Sequence, residues 1–324
     1  MAFWKSSLEN LVVFMIDLKK RIFITGVTGF VGANIMHRLV SLWASDLHVL
    51  VRKNSDLSRI ESIKDKLSIH RFSLEDRLET FEYIQKIRPQ IIFHTAAAWT
   101  AVGRTPLTID SLIETNSIGS VNLMDASFET GICEIFVNTG SSSEYWQKDV
   151  PMKETDSIEP NNLYGISKVM ATHYAVYLWK QKQFPIVTYR IFAAYWPLED
   201  SKRLIPTLID SFDKNIVPNL STPHSVRDFI YIDDIVSSYL ESDRAIKKQG
   251  DIINLGTGIQ TSIGEVVRIL QEISGKKLEP NYGFHGMNQL EPKVWCSDNT
   301  KMKNILWIVP RSLENWLNLM MNRI

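Results

Sequence analysis

The sequence predicts an α/β protein: a doubly wound parallel sheet with helices on both faces, joined to a smaller lobe of discontinuous C-terminal segments. Three observations carry that expectation. Strand-like and helix-like stretches alternate from residue 21 to residue 190. The rhythm then loosens, and Pro197, Pro206, Pro218 and Pro223 punctuate a run of short elements. Three of the chain's fifteen glycines, Gly26, Gly29 and Gly32, crowd between the first strand and the first helix.

The elements follow in order. Residues 21–24 are apolar and β-branched and run into Thr25-Gly26, as a buried strand ending in a turn does. Residues 31–43 place Ile35, Leu39, Leu42 and Trp43 on one helical face. A second strand is expected at 47–51, and a helix at 76–87 that stops at Arg88-Pro89. Ile91-Ile92-Phe93 reads as a buried strand, followed by a loop and one helix over 110–129. A strand at 134–138, a long helix at 163–180 and a strand at 186–191 close the regular part. A strand and helix return at 229–242, then a strand at 252–255. Ser262 and Glu265 form a capping-box pattern for a helix reaching residue 273. The expected division is 21–190 plus 229–255 for the sheet domain and 191–228 plus 256–324 for the smaller lobe, with 1–20 as an extension.

Composition narrows the function. With 36 basic and 36 acidic residues the net charge is zero, so a nucleic-acid or anionic-membrane binder, which needs a basic stripe, is disfavoured. Cys133 and Cys296 are the only cysteines and have no C-x-x-C spacing, and the seven histidines show no metal-ligand spacing; no metal site is expected. The apolar run at 11–16 is broken by Asp17 and is too short to span a bilayer. A cytoplasmic protein is the expectation.

The glycine turn is the strongest local motif. Gly26 permits a tight turn, Gly29 lets the backbone approach a pyrophosphate, and Gly32 lets the helix pack on the sheet, with phosphates at the helix N-terminus. The spacing is G-x-x-G-x-x-G, and a plain tight turn would also use glycines; the flanking strand and helix favour a dinucleotide. An NAD site usually carries an acidic residue after the second strand, whereas this chain has Arg52-Lys53. Arg52 suits a 2′-phosphate, so NADP(H) is favoured over NAD(H), although two solvated loop charges would look the same.

Tyr164 and Lys168 lie four residues apart on one face of the long helix. A neighbouring cation favours phenolate, so Lys168 is expected to lower the pKa of Tyr164 toward neutrality, fitting it to exchange a proton with a substrate hydroxyl or carbonyl. Such a pair alone is common on helix surfaces. Its context is the strand that runs into Thr139-Gly140-Ser141, where the Ser141 hydroxyl could polarise the same substrate oxygen.

Further landmarks are His94-Thr95-Ala96-Ala97, Asn116-x-x-Gly119-x-x-Asn122, Pro160 ahead of Tyr164, Arg190-Ile191-Phe192, Arg227-Asp228-Phe229-Ile230 leading to Asp233-Asp234, and Asn254-Leu255-Gly256-Thr257-Gly258. With the glycine turn and the serine strand end, this ordered set resembles the extended short-chain dehydrogenase/reductases of the NAD-dependent epimerase/dehydratase family, which act on nucleotide sugars. The resemblance implies a Rossmann domain for the dinucleotide and a C-terminal lobe for a nucleotide-diphosphate sugar. It implies Ser141 as catalytic hydroxyl, Tyr164 as acid/base and Lys168 as the cation that tunes it. It makes Gly26, Gly29, Phe30, Val31 and Gly32 the phosphate cradle, with Ala96, Tyr164 and Lys168 also touching the cofactor. Arg227 is expected to reach the substrate diphosphate, with Ser142 and Ser143 on the sugar side. A homodimer through the helices at 110–129 and 163–180 is implied as well. The plainer roles are that Asn116 caps or cross-links a helix and that Arg227 pairs with Asp228 or another carboxylate.

Departures from the family pattern bear on the reaction. Dehydratases carry an Asp-Glu pair where this chain has Ser142 and Ser143, which disfavours 4,6-dehydration. The acidic residue after the third strand is Ser73, the asparagine after Arg190-Ile191-Phe192 is Ala193, and two motif glycines are Trp146 and Trp196. Reduction of a 4-keto-6-deoxy or 3,6-dideoxy sugar nucleotide is the first expectation and NAD-dependent 4-epimerisation the alternative. A dehydratase or a non-catalytic dinucleotide sensor is disfavoured.

Overall fold

The computed structural model describes residues 16–99, 106–145, 148–248, 252–284 and 293–321. Most of the expected N-terminal extension, and Trp146, lie outside them. In chain order the elements are β1 (Ile22–Thr25), α1 (Phe30–Ser41), β2 (Leu47–Leu50), a 3-10 helix (Ser58–Lys66), β3 (Ser68–His70), α2 (Arg77–Ile87) and β4 (Ile91–His94). Then come α3 (Ile109–Ile113), α4 (Gly119–Glu129), β5 (Ile135–Ser141), α5 (Leu163–Lys182), β6 (Ile186–Ile191), β7 (Ala193–Tyr195), α6 (Leu204–Lys214) and β8 (Asn219–Leu220). The remainder is β9 (Val226–Tyr231), α7 (Ile232–Leu240), α8 (Ser242–Lys248), β10 (Ile252–Leu255), β11 (Gln260–Ser262), α9 (Ile263–Ser274), β12 (Asn281–Tyr282) and α10 (Leu313–Met321).

Seven strands form one parallel sheet in the order β10-β6-β5-β4-β1-β2-β3. This is the doubly wound fold the alternation predicts. Alternate residues of each strand face opposite ways, and both faces are covered. Ile22, Ile24, Ile91, Phe93 and Val137 join one core cluster with Ile35, Met36 and Leu39 of α1. Phe23, Ile92 and Phe136 join the other with Ile84, Met124 and Ala175 of α2, α4 and α5. Strand order reverses between β1 and β4, so the loops leaving those two strands diverge and open a crevice at their C-terminal ends.

Three local expectations change. The single helix at 110–129 is interrupted by a π-helical turn, Glu114–Ile118, which separates α3 from α4. The proline-rich region holds α6, whose Pro206 sits in the first turn, where its missing N–H breaks no helical bond. The strand expected at 229 begins at 226, and β9 pairs with β7 and β11 in a small separate sheet.

Candidate active site

β1 delivers the chain into the glycine turn, and the turn has little freedom of sequence. Gly26 holds φ +72°, and a Cβ there would lie 2.5 Å from the Ala96 nitrogen of the loop after β4. At Gly32 a Cβ would lie 2.5 Å from the Gly26 carbonyl and from Thr95 Oγ1. Gly29 differs: its φ is −84°, and a Cβ would meet only the Gly26 carbonyl, at 3.1 Å. Gly29 is also the N-cap of α1 and brings no capping side chain, so the first amides of Phe30, Val31 and Gly32 remain available to an anion. These residues fit the diphosphate of a dinucleotide. Ala96 N donates to Thr25 Oγ1 at 3.2 Å, which fastens the two loops beside the crevice.

Across the crevice, β5 ends at Ser141 and a short 3-10 turn follows. Ser141 Oγ accepts from Ser143 N at 3.1 Å, and Ser141 N donates to Glu144 Oε1 at 2.8 Å. The first turn of α5 presses against this loop: a Cβ on Gly165 would lie 2.1 Å from the Ser143 carbonyl. Glycine beside Tyr164 is what lets the helix approach so closely, and the Ser141 hydroxyl hydrogen-bonds with Tyr164. Ser142 is buried and Ser143 half-buried in the same turn. The turn thus brings Ser141, Ser142, Ser143, Tyr164 and Lys168 to one end of the sheet.

Lys168 is 1% exposed, and its ammonium has no hydrogen bond or ion pair to another described residue. Burial pushes its pKa down to about 8, against the opposing pull of the Glu144 carboxylate. The expectation that Lys168 brings Tyr164 toward neutrality is corrected. Burial, reinforced by Glu144, pushes the Tyr164 phenol up to about 12, and the opposing influences are the Ser141 hydrogen bond and the Arg203 charge. Tyr164 therefore keeps its proton at neutral pH.

Beneath the site lies a pairing that the sequence does not announce, although Arg190 stands among its landmarks. Glu144 is fully buried and pairs with buried Arg190, Nε to Oε2 at 2.8 Å. Arg190 Nη1 donates to Tyr145 Oη at 2.8 Å, and Tyr145 donates to Asn254 Oδ1 at 2.8 Å, which ties β5, β6 and β10 together. A glutamate and an arginine 46 residues apart carry no local signal of their pairing. His94, buried at the end of β4, bonds Thr25 Oγ1 and Ser120 Oγ, each at 2.7 Å. Burial, then the Lys168 charge, lowers its pKa to about 3, so it stays neutral.

Asn116 takes its plainer role. Buried in the π-helical turn, it accepts from Ala98 N at 2.6 Å and donates to the Ala98 carbonyl and Ser167 Oγ at 2.8 Å, joining the β4 loop to α5 next to Lys168. Arg227 lies on β9 opposite Thr261, half-buried, and its Nη1 donates to the Val226 carbonyl at 2.6 Å. Asp228 receives bonds from Thr257, Gly258 and Ser297 at 2.6–3.1 Å, which stitches β9 to the 256–258 turn. No group of three or more potential metal ligands occurs among the described residues.

Fold and sequence together define the class. Residues 22–256 match the NAD dependent epimerase/dehydratase family, and the chain belongs to it. UDP-glucose 4-epimerase 2 of Arabidopsis thaliana is 24% identical over 336 residues, covering 92% of this chain and 95% of that protein. The dTDP-4-dehydro-6-deoxyglucose reductase of Escherichia coli is 22% identical, covering 80% of this chain and 83% of its own. Among solved structures, dTDP-glucose 4,6-dehydratase of Bacillus anthracis in complex with NAD superposes with a TM-score of 0.78 at 21% identity, covering 94% of this chain and 96% of that one.

That neighbour, and others of the same fold, were solved with NAD, which overturns the preference for NADP(H). The physical basis is local. Arg52 is an exposed loop residue beyond β2, the solvated charge that the sequence also allowed. Glu75 is held below its ordinary carboxyl value, against burial, by hydrogen bonding first from Ser73, with the Arg52 charge the last contribution. Glu75 is itself fixed by hydrogen bonds from Ser73 Oγ and from Thr115 Oγ1, the latter at 2.9 Å. An acidic group, Glu75, does stand near the third strand, two residues beyond Ser73.

Proposed function

We propose that the protein is an NAD-linked oxidoreductase of nucleotide-diphosphate sugars that reduces a 4-keto-6-deoxy or 3,6-dideoxy hexose. The observation that carries this is the convergence of Ser141, Tyr164 and Lys168 at the crevice end of the sheet, beside the glycine turn. When bound, the nicotinamide supplies the hydride. Gly26, Gly29, Phe30, Val31 and Gly32 would hold the diphosphate of the dinucleotide, and Ala96, Tyr164 and Lys168 would also touch the cofactor. Ser141 donates a hydrogen bond to the sugar oxygen and orients it toward Tyr164. Tyr164, protonated at neutral pH, gives its proton to that oxygen as alkoxide character develops, which is the acid role that reduction requires. Lys168 holds positive charge below the site, and the Ser141 hydroxyl and the Arg203 charge are what favour the phenolate left behind. Arg227 meets the substrate diphosphate with a planar fork suited to phosphate oxygens, and Ser142 and Ser143 line the sugar side.

Dehydration is not supported, because Ser142 and Ser143 offer no carboxyl pair for elimination of water. A 4-epimerase is the second reading, favoured by the likeness to the plant epimerase, and would use the same three catalytic residues. The test supplies purified protein with NADH and a panel of CDP- and dTDP-linked 4-keto-6-deoxyhexoses. NADH oxidation with at least one of them is expected. Near-stoichiometric NAD retained through gel filtration, with no NADH consumed across the panel, would overturn reduction in favour of epimerisation.

The proposal includes a homodimer through 110–129 and 163–180. Leu163, Ile166, Met170 and Tyr177 of α5 are 43–47% exposed and fall on one helical face, an apolar stripe that a second copy would cover. A cytoplasmic setting suits Cys133 and Cys296, both free. No helix among the described residues is long and apolar enough to cross a membrane.

A further inference from the structure

The segment leaving β7 contains two residues in a backbone region that L side chains rarely adopt: Trp196 at φ 68° and Leu198 at φ 67°. Such a conformation persists only where its surroundings impose it. Three hydrogen bonds do so. Trp196 N donates to Glu199 Oε2 at 3.0 Å, Asn34 Nδ2 donates to the Pro197 carbonyl at 2.8 Å, and Arg59 Nε donates to the Leu198 carbonyl at 2.8 Å.

The last two donors also grip the glycine turn. Arg59 Nη1 donates to the Thr28 carbonyl at 2.9 Å, and Asn34 Nδ2 to the Phe30 carbonyl at 2.9 Å. Arg59 is anchored in turn, since its own carbonyl accepts from His37 Nε2 at 2.8 Å. On its other side the strained segment leads to the catalytic tyrosine. Glu199 pairs with Arg203 at 3.4 Å, Arg203 lies over the Trp99 ring with 5.4 Å to its centroid, and the Arg203 charge reaches Tyr164.

We propose that Arg59 is a positioning residue: it fastens the strained 196–198 turn to the glycine turn, so that a dinucleotide seated there steadies the Glu199–Arg203 side of the active site. The last step rests on the proposed function; the clamp itself does not. A ligand at Thr28–Phe30 removes freedom from the two carbonyls that Arg59 and Asn34 hold, and those side chains pass the constraint to Pro197 and Leu198. Without Arg59, the strain at Leu198 would release the turn. Glycine at position 198 would adopt the same φ without strain and would need no clamp.

The test is amide hydrogen exchange of the 196–203 segment in wild type, Arg59→Gln, Leu198→Gly and the double variant, with and without saturating NAD. In the absence of NAD, Arg59→Gln is expected to speed exchange of this segment about tenfold, and the double variant to return within about threefold of wild type. NAD is expected to slow exchange about tenfold in wild type and less than about twofold in Arg59→Gln. Unchanged exchange in Arg59→Gln, or a double variant as fast as Arg59→Gln, would overturn the clamp. A wild type that binds no NAD by calorimetry would overturn the functional reading and the coupling step with it, while the NAD-free exchange still decides the clamp.

Discussion

The proposed function asks Tyr164 to hold a proton and then give it up, and its surroundings explain why it holds it. Burial and the Glu144 carboxylate disfavour phenolate, so the side chain is an acid before it is a base. Tyr164→Phe is predicted to lower kcat for ketosugar reduction by about 10²–10⁴, the usual cost of losing a general acid; a change within about threefold would remove Tyr164 from the mechanism. Lys168 sets the alkaline limit. With its pKa near 8, kcat/KM is predicted to fall as pH rises through about 8, and a flat profile to pH 10 would argue against a charged Lys168. Glu144 matters twice. Glu144→Gln leaves the Arg190 guanidinium buried without its counter-charge, which typically costs about 3–5 kcal/mol in denaturant unfolding. It also removes the charge that raises both Tyr164 and Lys168, so the alkaline limb of the pH profile moves down. The Tyr164–Lys168 spacing was legible because a helix repeats locally. The pairing of Glu144 with Arg190 was not, because each depends on a partner that only the folded sheet supplies.

At the scale of elements, the glycine turn and the α5–serine-loop contact could be read or inferred from short motifs, and the π-helical turn could not. A π-turn depends on where Asn116 finds Ala98 and Ser167, and no residue pattern in 110–129 announces it. Trp196 did leave a trace: a tryptophan stands where the family has glycine, and the backbone there keeps a glycine-like φ of 68°. The seam between α7 and α10 yields a pH prediction. Asp234, in the first turn of α7, accepts from Arg311 N at 3.3 Å beside Trp316, which stacks on Tyr231 at 3.7 Å. Burial is the main cause that raises its pKa from 3.8 to about 7, so the folded state binds a proton there more tightly than the unfolded chain. That contribution to stability is present at low pH and is lost as pH rises from about 4 through about 7. Asp234→Asn, neutral throughout, is predicted to raise the denaturation temperature relative to wild type at pH 8 and to change it little at pH 4; an equal change at both would refute the linkage.

At the scale of the whole molecule, the proposed function asks a chain of zero net charge to handle anionic ligands with a few placed groups. The turn after β1 and the loop after β4 meet where strand order reverses, with the end of β5 beside them, and under the proposed function this juxtaposition puts Tyr164 next to the dinucleotide cradle. The apolar stripe on α5 belongs to the same scale. Met170→Glu places a charge in its centre and is predicted to halve the mass measured by light scattering while leaving the folded spectrum unchanged; a wild type that is already monomeric would refute the dimer. Hydride transfer to a sugar carbon, with Tyr164 supplying the proton, is read out by deuterium transfer. Incubation with 4,4-dideuterated NADH and a dTDP-linked 4-keto-6-deoxyhexose, read by mass spectrometry and proton NMR, is predicted to place one deuterium on the reduced sugar carbon with wild type and almost none with Tyr164→Phe. A reduced product without deuterium, or equal labelling by both proteins, would contradict it.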